Sequence, residues 1–226
     1  MRDKQSMYST VIGALLYLVA CTRPDLANAV SILARFVSNP AMVHYQALQR
    51  VLTYLRDTAQ ADDPFAIYSD ANWSEKFSTS GAAFFLFGCP FAWYSRLQRS
   101  VSHSSAEAEF IGASMAAREG MFHRDVLVDV DELPCGPTVL YMDSKSAIDL
   151  TFDAVAFKKT KHVLRDANFL RDVVARLYFK PEHVVSESML ADVLTKPLPR
   201  AQFTLQRCML CVIIDMSVHN RQSRRG

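Results

Sequence analysis

Glycine is scarce, with 7 in 226 residues, and no tract repeats. Both absences argue against extended disorder. Cysteine is sparse, odd in number and scattered: Cys21, Cys89, Cys135, Cys208 and Cys211. That excludes a disulfide framework and fits a reducing compartment. Cys208 and Cys211 form a lone C-x-x-C with only His219 nearby. Zinc needs a further ligand, so the pair reads as two apolar residues of a C-terminal segment. Neither sign of charge dominates: 25 Lys and Arg face 23 Asp and Glu. A basic surface for nucleic acid must therefore be local. The apolar run at 11–21 is too short to cross a membrane. Arg2 and Lys4 before it, with Leu18-Val-Ala-Cys21 at its end, imitate a lipoprotein signal. The apolar periodicity continues past it, so the run reads as a buried helix and the chain is expected not to be secreted.

What is present is apolar: half of the residues are hydrophobic, enough for a core and one or two domains. A first helix is expected at 8–19. A second opens at Pro24 and Asp25, with Leu26, Val30, Leu33 and Val37 as its apolar stripe and Asn39-Pro40 as its stop. A third places Tyr45, Leu48, Leu52 and Leu55 on one face. A short polar linker follows at 59–64. The pattern then changes to strands at 65–70, 80–88 and 91–95, with Gly88-Cys-Pro90 as the turn between the last two. A long helix at 102–130 precedes a fourth strand at 138–143, a short helix at 144–150 and a longer one from about 158 to 177. A fifth strand at 178–185 and a final helix at 186–194 complete the pattern. Three strands, then a helix, a strand, helices, a strand and a helix make a mixed sheet with helices packed on it.

Acidic residues fall at telling places. Asp70 ends the apolar run Ala66-Ile67-Tyr68-Ser69, and Asp143 ends Val139-Leu140-Tyr141-Met142. Two strands that each deliver an Asp at the C-terminal end bring both carboxylates to one sheet edge. Glu109 and Asp192 lie in segments able to reach that edge. Four carboxylates around one point make a site of hard oxygen ligands. Without a cation they repel, so at least one pKa is expected to rise. Glu107 has a structural role instead, because Ser104-Ser-Ala-Glu107 reads as a capping box. Glu109 points about 200° around the helix from it, although Glu107 stays the second candidate for the site.

Several stretches also resemble copia-type (Pseudoviridae) retrotransposon polyproteins, at the end of the reverse transcriptase and its ribonuclease H domain. They are Ile12-Gly-Ala-Leu-Leu-Tyr-Leu, Thr22-Arg-Pro-Asp-Leu-Ala, Arg50-Val-Leu-Thr-Tyr-Leu-Arg, Tyr68-Ser-Asp-Ala-Asn-Trp73, Ser78-Thr-Ser-Gly81, Ser104-Ser-Ala-Glu-Ala-Glu-Phe-Ile, Asp143-Ser-Lys-Ser-Ala-Ile, Thr160-Lys-His162 and Leu190-Ala-Asp-Val-Leu-Thr-Lys-Pro-Leu198. They fall in the family's order. The resemblance implies an α/β fold, a ribonuclease H-like mixed five-stranded sheet with flanking helices at 64–198. A helical, thumb-like segment at 1–60 precedes it, and an extension at 199–226 follows. It implies Asp70, Glu109, Asp143 and Asp192 as catalytic metal ligands, two Mg²⁺ (or Mn²⁺) as cofactors, and hydrolysis of the RNA strand of RNA–DNA hybrids. Ser78, Thr79 and Ser80, with Lys159, Lys161 and His162, are the expected hybrid contacts; His103 and His183 are expected to be structural. It also implies an upstream polymerase part as partner and an intracellular location, in a cytoplasmic virus-like particle. The family's polymerase motif lies upstream of Met1, so no DNA synthesis is expected. Departures stand at Leu164, Asp166, Asn168 and Val185 and in a short loop after Trp73. They motivate the competing reading, an inactive retrotransposon remnant with at most weak nucleic-acid binding.

Overall fold

The sheet is organised by one strand that is apolar on both faces. Residues 65–71 of β1 (Phe65–Asn72) are buried apart from the half-buried Tyr68, the pattern of a central strand covered on both sides. The computed structural model describes residues 4–21, 23, 26–58, 64–129, 136–152 and 164–210. β2 (Thr79–Leu86) and β3 (Cys89–Leu97) run antiparallel to one another and β2 to β1, while β4 (Thr138–Met142) and β5 (Phe179–His183) continue the sheet in parallel. The order β3-β2-β1-β4-β5 makes the expected mixed five-stranded sheet with flanking helices. Both prolines inside strands, Pro90 and Pro181, lie on its edge strands, where a missing N–H costs no ladder bond.

Helices α1 (Lys4–Cys21), α2 (Ala27–Ala34) and α3 (Met42–Asp57) precede the sheet. The stripe expected for α2 is buried at Leu26, Val30 and Leu33. The expected start of that helix, Pro24 and Asp25, lies outside the described residues, as does most of the 59–64 linker. Leu15 and Leu18 of α1 are buried, and Tyr17 rests on Trp93 of β3 with ring centroids 4.7 Å apart. Buried residues of α1–α3 and of the sheet form one continuous core. The expected boundary at 60–64 is thus a change of element type, not a break in packing. No helix among the described residues is long and apolar enough to cross a membrane.

Helix α4 (Ser105–Asp129) lies across β1 and buries Phe110, Ala113, Ala116 and Ala117. Its start has half of the expected box: Ser104 Oγ accepts the Glu107 N–H at 3.2 Å, while Glu107 Oε2 reaches one residue further back and accepts the His103 N–H at 2.9 Å. Ser104→Ala is expected to cost about 1 kcal/mol, read as a lower urea midpoint with an unchanged slope. Helices α5 (Lys145–Phe152) and α6 (Leu164–Ala175) cover β4 and β5.

Three expectations need correction. The β2–β3 turn is Phe87-Gly88, both at positive φ (49° and 77°), with Leu86 paired to Cys89; Cys89 and Pro90 belong to the strand. The final helix at 186–194 is two short 3₁₀ turns, Ser186–Ser188 and Asp192–Leu194. Met189, Leu190 and Ala191 are all buried, which a surface helix with one apolar face cannot achieve for three successive residues. A further helix, α7 (Arg200–Met209), follows, where only an extension was expected. The expected C-x-x-C lies largely outside the described residues, which include neither Cys211 nor the side chain of Cys208.

Candidate metal centre

Parallel pairing of β1 with β4 sets Tyr68 beside Tyr141, their rings stacked 4.7 Å apart. Two residues further along each chain, on the same face, come Asp70 and Asp143. Asp143 leaves β4 just before Ser144, whose Oγ accepts the Ala147 N–H at the start of α5 at 3.2 Å. The third acid arrives from α4: Glu109 Oε2 accepts the Ala71 N–H at 3.0 Å. Carboxylate oxygens of Asp70, Glu109 and Asp143 all lie within 4.8 Å of one another. Glu107 is held in its cap and is not in this group.

The group is held from several sides. Thr195 Oγ1 donates to Asp70 Oδ2, and Ser186 Oγ donates to Asp143 Oδ2 at 3.3 Å. Asp70 Oδ1 is buried and accepts no hydrogen bond among the described residues. Asp192 is buried and joins through Lys196, whose Nζ lies 2.8 Å from Asp192 Oδ1 and 3.7 Å from Asp70 Oδ1. The four expected acids therefore converge, three in one cluster and the fourth across an ammonium. Thr195 and Lys196 were not singled out from the sequence. The signal was there in the i,i+4 spacing of Asp192 and Lys196, ahead of Pro197.

The expected repulsion is visible. Burial, reinforced by the charges of Asp70 and Asp143, pushes Glu109 up to about 10. Burial and the charge of Asp70 also raise Asp143. Burial raises Asp192, with the Lys196 bond opposing. Burial disfavours the Lys196 ammonium, but its bond to Asp192 and the surrounding carboxylates win and raise its pKa. Glu109 thus keeps a proton at neutral pH that a divalent cation would displace. Among the described residues the site's donors are carboxylate oxygens with no nitrogen or sulfur, and Asp70 Oδ1 is buried without a hydrogen bond. That set suits a hard cation.

Gly81 admits the segment that carries Asp192. It pairs with Asp70 across the β1–β2 ladder, and a Cβ there would lie 2.7 Å from Thr195 Cγ2 and 2.8 Å from Leu194 Cβ. Gly81→Ala is expected to push this segment off β2 and to cost about 1–3 kcal/mol. The check is a lower melting temperature together with weaker divalent-ion binding.

Two of the expected hybrid contacts are corrected. Ser78 and Ser80 are fully buried. Ser78 Oγ accepts the Ser74 N–H at 3.3 Å, and Ser80 Oγ accepts from Gln98 Nε2 at 2.8 Å. Their hydroxyls hold the β1–β2 loop and the start of α4, because β2 is an inner strand with both faces covered. Thr79 is half-buried. Lys159, Lys161 and His162 lie outside the described residues. His103 is exposed and offers its backbone N–H to the α4 cap, and His183 ends β5.

The chain is 34% identical over 209 residues to the retrovirus-related Pol polyprotein from transposon TNT 1-94 of Nicotiana tabacum, covering 88% of this chain and 16% of that one. Its homologues are retrovirus-related Pol polyproteins from plant transposons. It spans about a sixth of the length of that Pol relative. A shorter relative, the secreted RxLR effector protein 161 of Plasmopara viticola, is 40% identical over 131 residues, 53% of this chain and 92% of that one. Among solved structures, LC11-RNase H1, isolated from compost by a metagenomic approach, aligns over 59% of this chain and 93% of its own. The identity is 17% and the TM-score 0.45. No protein-family model matches this chain.

Proposed function

We propose that this chain is a ribonuclease H: a divalent-metal-dependent endonuclease that cuts the RNA strand of RNA–DNA hybrids. The observation that carries the reading is the convergence of Asp70, Glu109 and Asp143 within 4.8 Å, on two parallel strands and a crossing helix. In this reading Asp70, Glu109 and Asp143, with Asp192 as fourth acid, hold two Mg²⁺ or Mn²⁺ ions. Bound there, the ions would supply an activated water and positive charge at the scissile phosphate.

The chain's own groups prepare that site. Thr195 takes one oxygen of Asp70 and leaves Oδ1 without a hydrogen bond among the described residues, 3.7 Å from the Lys196 ammonium. The Ala71 N–H and the Ser186 hydroxyl fix the angles of Glu109 and Asp143. Glu109 carries a proton at neutral pH, which it would have to give up to hold a cation. Hybrid is held through its backbone and 2′-hydroxyls rather than its sequence, with Thr79, Lys159, Lys161 and His162 as the contacts still open to test. The residues at 1–60 are read as continuing an upstream polymerase part, with reverse transcription inside the cell as the setting.

A panel of end-labelled substrates tests the substrate class. With Mg²⁺, RNA in a hybrid is expected to be cut to 3′-hydroxyl and 5′-phosphate ends, while double-stranded DNA and both single strands stay intact. Retention of hybrid without cleavage by a folded, metal-loaded protein would instead support the inactive remnant.

A further inference from the structure

The ammonium of Lys196 sits where two buried carboxylates face one another. Side chains of Asp70 and Asp192 are each 1% exposed, whereas that of Lys196 is 35% exposed. Asp192 has no oxygen in the three-acid cluster among the described residues. Lys196 joins the Asp192 carboxylate to that of Asp70, beside Thr195 Oγ1, which reaches Asp70 Oδ2 and the Asp192 carbonyl. Gln202 Nε2 donates to Asp192 Oδ2 at 3.5 Å. The Lys196 backbone N–H also donates to the Asp192 carbonyl at 3.1 Å, which roots the side chain beside its partner. Two buried carboxylates held together repel unless a proton or a cation relieves them. Here the chain supplies a cation of its own.

We propose that Lys196 is a built-in counter-cation that occupies the Asp70–Asp192 half of the centre and makes metal loading stepwise. This rests on reading the centre as a divalent-cation site. The first ion would be held by Asp70, Glu109 and Asp143, the cluster without Asp192. The second would need Asp192 together with the same Asp70 and would have to displace Nζ from between them. The lysine has a way out: a compact charge on a flexible four-carbon stem, already one-third exposed, swings to solvent without disturbing the backbone. Lys196 is thus a positioning residue. It holds the acids together before loading and sets the threshold for the second ion.

Mn²⁺ binding to the full chain, followed by the EPR signal of the free ion, tests this beside melting temperatures in EDTA. Wild type is expected to bind one ion tightly and a second on the order of tenfold more weakly. Lys196→Met is expected to close that gap and to lower the metal-free melting temperature. Lys196→Arg, which keeps the charge, is expected to retain the gap. Lys196→Gln is a second neutral variant should the methionine protein not fold. A lysine that is only a strut would lower the melting temperature when replaced and leave the second affinity alone. Identical two-site isotherms for folded wild type and neutral variants therefore overturn the proposal while the divalent reading stands. No Mn²⁺ bound by any of them overturns both.

Discussion

Asp143→Asn is expected to lower hybrid cleavage by on the order of 10²–10³-fold, without loss of fold. Asparagine matches the size of aspartate and keeps an oxygen for the Ser186 hydroxyl, but it removes one charge from the cation site. Asp143 is half-buried at the end of a strand, so its side chain contributes little to the core. Charge placed at a reacting centre is worth several kcal/mol, and a displaced cation costs rate steeply. The same loss is expected for Asp70→Asn, where the oxygen lacking a hydrogen bond is the one left without charge. Glu107→Gln is the contrasting variant: it touches the cap of α4 and not the cluster, so its kcat is expected to match wild type. Circular dichroism and kcat on each protein check the set. Full activity in Asp143→Asn would remove Asp143 from the chemistry.

Glu109→Gln is expected to stabilise the metal-free protein by as much as about 3 kcal/mol at pH 7. The sign follows from linkage. Glu109 has a folded pKa of about 10 against an ordinary value of 4.5, so the folded state binds the extra proton between those limits. Stability from this group is complete below the lower value and is lost as pH rises toward the upper one. At pH 7 the loss corresponds to the interval from 4.5, at about 1.4 kcal/mol per unit. Glutamine is neutral in both states and still offers an oxygen to the Ala71 N–H, so it escapes the loss. Melting in EDTA is expected to show equal stability near pH 4 and a growing advantage for the variant toward pH 8. Mg²⁺ should reverse the order, since only the wild type offers the third carboxylate and gains from binding. A variant less stable than wild type at pH 8 in EDTA would contradict the burial of this charge as the cause.

Much of the site was legible because strands and metal ligands leave strong local marks. An apolar run ending in Asp appears at Asp70 and again at Asp143, and period-two geometry does the rest once the strands are neighbours. The capping box separated Glu107 from Glu109 because a cap is defined by short-range spacing. What could not be read was set by tertiary contact. The residues at 186–194 have helix-forming composition, yet they fold as two tight turns because burying Met189, Leu190 and Ala191 together outweighs local preference. Ser78 and Ser80 look like exposed hydroxyls in sequence. Only the packing of α4 on β2 turns them inward. Lys196 was passed over because an exposed lysine and a lysine between two buried acids have the same local sequence.

The most direct measurement is the rate of RNA cleavage in a labelled RNA–DNA hybrid as Mg²⁺ is titrated into the metal-free, folded chain. The expected result is no cleavage in EDTA, a rate that rises with Mg²⁺ and saturates, and cuts confined to the RNA strand. A folded chain that binds Mg²⁺ and hybrid and leaves the RNA intact at every concentration would contradict the nuclease reading, and the carboxylates would then be a metal site without a reaction.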